Sequence, residues 1–104
     1  MKLDDFEEGL VQRLRENQKF ATVHLQETLK CLIDTHASAV EKAASLLTLG
    51  YITRAYGGFG KIAKKAGVSK GQLAKAFAPG GNPTLNMLTA LSDAVNPHMT
   101  AQAA

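Results

Sequence analysis

The stretch Phe59–Phe77, FGKIAKKAGVSKGQLAKAF, constrains the fold more than any other part of this chain. Ile62 and Ala63 share the inner face of a short helix expected over Phe59–Ala66. Four residues after Ala63 stands Gly67, where a chain can turn sharply at positive φ. Val68 follows as an apolar plug, and Ser69 is a favoured N-cap for a second helix that runs to about Phe77. Leu73, Ala76 and Phe77 hold that helix down. Ala63 is small enough for the second helix to cross closely over it. Two short helices meeting steeply across a glycine turn form a helix-turn-helix, whose second helix is shaped to enter a DNA major groove.

The same spacing sorts the outward residues. With Leu73 pointing inward, the helical step of about 100° puts Gly71 and Lys75 roughly opposite, with Gln72 and Ala74 flanking. Ser69 and Lys70 lie at the end that faces DNA in such a motif, where the helix dipole favours phosphate. Gln72 carries the donor and acceptor that adenine N7 and N6 require, and Lys70 or Lys75 can donate to guanine or to phosphate. Lys61, Lys64 and Lys65 on the first helix suit phosphates. Asn82 in the Gly80–Asn82 loop, and Thr84 and Asn86 at the start of the last helix, are further candidates for backbone contacts. Gly71 reads in two ways. It lets the helix backbone approach DNA closely, or it blunts specificity and costs helix stability.

Charge patterning points the same way. The net charge of +3 hides an asymmetry. Residues 1–42 carry six Lys/Arg and eight Asp/Glu, a net of −2. Residues 43–104 carry six Lys/Arg and one acid, Asp93, a net of +5. A basic half set against a slightly acidic one fits a polyanion partner, although a solvated lysine surface gives the same numbers.

Strand signals are nearly absent, so the expected class is all-α. A first helix opens at Asp4 and Asp5 and carries Phe6, Leu10 and Leu14 at helical spacing. A second runs over about Gln18–Ile33 with Phe20, Val23, Leu25, Leu29, Leu32 and Ile33 as its apolar stripe. Asp34 or Thr35 is the expected cap of a third, which continues to about Tyr56. Eight of the nine glycines fall between Gly50 and Gly81, which predicts short helices and tight turns there. The last helix, capped by Thr84, carries Leu85, Leu88, Leu91 and Val95 and stops at Asn96-Pro97. The expected organisation is a helical arm at 1–35 for dimer or partner contact, a DNA-binding domain at 36–96, and a flexible tail at 97–104. The arm argument rests on Phe6, Leu10, Leu14, Phe20, Leu25 and Leu29, more apolar surface than a four-helix domain needs to cover.

The segment GKIAKKAGVSKGQLAKAFAPGGNPTLNMLTALSDAV resembles the Xre/lambda-repressor-like helix-turn-helix domain. More narrowly, HLQETLK (His24–Lys30), LLTLGYITRAYGG (Leu46–Gly58) and APGGNPTLNMLTAL (Ala78–Leu91) resemble the addiction-module antidote proteins. The resemblance implies a lambda-repressor-like domain and a repressor that binds an operator in double-stranded DNA as a homodimer. It also implies an antitoxin that represses its own operon and neutralises a RelE-like toxin. Two alternatives stand beside it: a free-standing Xre-type regulator with no toxin, and a protein-binding module that has lost DNA affinity, for which Gly71 is the best argument.

Other signals carry less. Gly57-Gly58-Phe59-Gly60-Lys61 lacks the first glycine and the Ser/Thr of a Walker loop, with Ala55 and Ile62 in their places, and no strand precedes it. His24, His36, His98 and Cys31 show no metal-ligand spacing. Met87 reads as core. No nucleophile, base and oxyanion donor assemble, so neither an enzyme nor a cofactor is expected. The longest nearly apolar stretch, Ser45–Ile52, is far short of the ~20 residues of a membrane span, no secretory leader is visible, and one cysteine fits a cytoplasmic setting.

Overall fold

Side-chain caps mark the starts of four of the helices described. Its structure, a computed structural model, describes residues 3–97, so the tail expected at His98–Ala104 lies, like the His98 side chain, outside the described residues. Helix α1 spans Leu3–Glu16, and Asn17 separates it from α2, Gln18–Ile33, by accepting the Phe20 N–H at 3.0 Å. Helix α3 spans Ala39–Ala55. Its cap is Ser38, not Asp34 or Thr35. The Ser38 hydroxyl accepts the Glu41 N–H at 3.1 Å, and the Glu41 carboxylate accepts the Ser38 N–H in return. Two orphan donors are satisfied at once by that capping box. Asp34 instead ends α2, and its carboxylate accepts the His36 N–H at 2.8 Å. Three short helices follow: α4 at Gly58–Ala66, α5 at Lys70–Ala76 and α6 at Leu85–Val95. Ser69 and Thr84 cap the last two, as their sequence positions predict.

All six helices feed one core. Leu14 from α1, Leu25 from α2, Leu49 and Ile52 from α3, Ile62 from α4, Leu73 from α5 and Leu91 from α6 are fully buried in a single cluster. Each such side chain contributes about 1.5–3 kcal/mol of transfer free energy. The radius of gyration, 13.0 Å, is that of one folded unit of about 100 residues. Met87 is buried, as expected.

Residues 1–35 contribute to the same core. Leu14 and Leu25 are core, and Leu10, Phe20 and Leu29 pack half-buried against it. Of the six apolar residues offered as a spare surface, only Phe6 is exposed. Helical periodicity marks a face as apolar; here it is α3 that covers it. Polar bonds fix the packing. The Tyr56 hydroxyl donates to the Leu14 carbonyl at 2.8 Å, the Gln18 amide to the Val95 carbonyl at 2.8 Å, and the Tyr51 hydroxyl to Glu7 at 3.1 Å. Burial raises the Tyr56 phenol above its ordinary pKa, and burial together with Glu7 raises that of Tyr51. Among the described residues, no helix is long and apolar enough to cross a membrane.

Candidate nucleic-acid interface

The turn between α4 and α5 is built on Gly67. Its φ of 74° and ψ of 28° put it in the left-handed region, where a side chain would be strained. The Gly67 N–H reaches the Lys64 carbonyl at 3.2 Å, and the Val68 N–H reaches that of Ala63 at 3.0 Å. These bonds close the last turn of α4 and redirect the chain into Ser69. Ala63 is buried beneath the turn, and Val68 packs half-buried against the core. The Phe59 and Phe77 rings meet edge-on at 6.4 Å, tying the start of α4 to the end of α5.

The faces separate as the spacing requires. Ile62, Ala63, Leu73, Ala76 and Phe77 are buried, while Lys61, Lys64, Ser69, Lys70, Gly71, Gln72 and Lys75 are exposed. No carboxylate of the described residues lies within ion-pair distance of Lys61, Lys64, Lys70 or Lys75. The Lys61 stem lies over Gly57, where a Cβ would come within 2.5 Å of Lys61 Cδ. Four ammonium groups therefore stand free around one glycine turn.

Lys65 departs from that group. Its Nζ lies 2.9 Å from Asp93 Oδ2, so the side chain reaches across to α6. Asp93 is the lone acid of the second half, and nothing in the local sequence signals this pairing, which spans 28 residues. Gln72 is also engaged. Its Oε1 accepts the Ser69 N–H at 2.8 Å, while the Ser69 hydroxyl accepts the Gln72 N–H at 3.0 Å. A carbonyl oxygen keeps a second lone pair, and the amide Nε2 keeps its donors, so a base edge can still be read without breaking the cap.

At Gly71 the chain itself leaves room. An added Cβ would meet only the Ser69 hydroxyl, at 4.0 Å. Thr84 is occupied in capping α6, its hydroxyl accepting the Met87 N–H at 3.3 Å. Asn86 lines a shallow groove with Lys65, Thr89 and Asp93. Asn82 lines a different groove, with Leu32, Ile33 and Lys42 from α2 and α3. Ser69, Gly71, Gln72 and the four free lysines thus share α4, α5 and their turn, whereas Asn82 stands beside α2 and α3.

Compared with protein-family models, with curated proteins and with solved structures, the chain matches none. What the interface can do therefore rests on its own chemistry. Exposed ammonium groups with no carboxylate in ion-pair range attract a polyanion, and an amide on the outer face of a short helix can read a base edge. His24 sits half-buried on α2, its Nδ1 3.1 Å from the Phe20 carbonyl. No group of three His, Cys, Asp or Glu side chains among the described residues is placed to hold a metal ion.

Proposed function

We propose that this chain is a sequence-specific double-stranded DNA-binding repressor. In this reading α4, the Gly67 turn and α5 form a lambda-repressor-like helix-turn-helix, with α5 as the recognition helix. The observation that carries it is the set of four exposed, unpaired lysines, Lys61, Lys64, Lys70 and Lys75, arranged on two helices joined by a left-handed glycine. Lys61 and Lys64 would neutralise phosphates, and Gln72 would supply the base contact. Gel retardation of the DNA upstream of its own gene tests it. A discrete shifted band that survives excess unrelated DNA supports the reading, and no band at low salt defeats it.

The narrower role, an antitoxin that represses its own operon and neutralises a RelE-like toxin, rests on the sequence resemblance. The test is co-purification with the product of the adjacent open reading frame. A stable complex supports the antitoxin role, and its absence leaves a free-standing regulator. A cytoplasmic site of action and a homodimer belong to the same proposal. One short recognition helix touches few base pairs, and such proteins gain specificity by pairing two-fold half-sites. Among Phe6, Leu10, Leu14, Phe20, Leu25 and Leu29, Phe6 is the exposed residue.

A further inference from the structure

The single acid of the basic half is joined to a single lysine. Asp93 sits in the last turn of α6, and its Oδ2 is 2.9 Å from the Nζ of Lys65 in the last turn of α4. Both side chains are partly exposed, 39% for Lys65 and 43% for Asp93, so the pair is open to exchange with solvent ions and with other anions. The other α4 and α5 lysines have no such partner among the described residues. Lys64 and Lys65 are chain neighbours about 100° apart around the helix, so one stays on the outer face while its neighbour can bend toward α6. Asn86 and Thr89 line the same groove as the pair, and they contribute no second charge.

We propose that Asp93 restrains polyanion binding by holding Lys65 out of the interface, so that the chain meets DNA with four lysines from α4 and α5 instead of five. The inference rests on the DNA-binding reading above and adds a residue that sets its strength. It follows from charge balance. A phosphate that recruits Lys65 must separate it from Asp93 and leave that carboxylate unpaired beside a second anion. Removing the carboxylate charge while keeping the side-chain shape frees Lys65 to join the others. Each added phosphate contact steepens the slope of log K against log salt by about 0.9.

The experiment measures that slope by fluorescence anisotropy on a labelled duplex, using full-length wild type, Asp93→Asn, Lys65→Gln and the double variant. Asp93→Asn is expected to steepen the slope by about 0.9 per subunit. It should also bind about two- to fivefold tighter at low salt, the range that exposed ion pairs command. Lys65→Gln is expected to keep the wild-type slope, and the double variant to return to it. Both single variants break the same ion pair, so a mere packing defect would weaken both alike, which also contradicts the proposal. A Lys65→Gln slope shallower by about 0.9 would show Lys65 already on phosphate in the wild-type complex and overturn the inference. So would an Asp93→Asn gain that persists in the double variant, because it would then come from overall charge. Wild-type protein that binds no duplex at low salt defeats the DNA-binding reading and this inference with it. Wild-type binding with an unchanged Asp93→Asn slope defeats this inference alone.

Discussion

Two glycines four residues apart should respond to alanine with opposite signs. Gly67 has φ 74°, and nothing lies within 4 Å of where its Cβ would be. Gly67→Ala therefore meets no steric clash, and its cost is backbone strain alone, about 1–2 kcal/mol for an L-residue held in the left-handed region. Restricting the unfolded chain returns part of this, so the net loss is about 1 kcal/mol. Gly71 lies within α5 and has no left-handed φ, and its Cβ would meet only the Ser69 hydroxyl at 4.0 Å. Gly71→Ala removes the entropic cost of a helical glycine and should stabilise by about 0.5–1 kcal/mol. For a domain near 100 residues, each kcal/mol moves the Tm by roughly 4–8 °C. Thermal melts followed by circular dichroism should place Gly67→Ala below wild type, Gly71→Ala above it, and the two variants roughly 10 °C apart. A Gly67→Ala protein that melts with wild type would refute the left-handed turn. A Gly71→Ala protein that melts lower would refute the open space around α5.

Ala63→Leu should overpack the buried crossing beneath the turn and lower stability by about 1–3 kcal/mol, seen as a depressed Tm; an unchanged Tm would mean that the crossing is loose. Gln72→Ala should lose about 1–3 kcal/mol of binding to the operator and less to unrelated DNA, measured by competition, if its amide reads a base edge as proposed; equal losses would make it a phosphate contact. Raised phenol pKa values mean that the fold prefers neutral Tyr51 and Tyr56. Their contribution is fully present below the ordinary tyrosine value of 10.0 and is lost as pH climbs through the raised folded values. Tyr56→Phe should therefore show a shallower alkaline loss of stability in denaturant titrations across that range, whereas an identical pH profile would place the loss elsewhere.

The parts of this fold legible in the sequence are those fixed by local chemistry. Gly67, Ser69 and Thr84 announce a turn and two caps, and Leu73 with Phe77 sets the inner face of α5; the structure agrees at each. Where two local signals compete, one of them must lose. Asp34 and Thr35 are good cap residues, but Ser38 with Glu41 three residues later satisfies two donors, and α3 begins there. The spacing of Ser69 and Gln72 carries the same capping-box signal, beside the base contact that Gln72 offers. Long-range pairing is the part that could not be read. Nothing local to Lys65 points to Asp93, and nothing local to Leu14 or Leu25 says that α3 rather than a partner covers them.

In the proposed function, Lys61, Lys64, Lys70 and Lys75 form a polyanion-binding face. The most direct measurement is the affinity of the full chain for a short DNA duplex as salt is raised from about 50 mM. With four phosphates neutralised, log K should fall against log salt with a slope of about −3 to −4 per subunit. Binding that ignores salt, or no binding at the lowest salt, would contradict it.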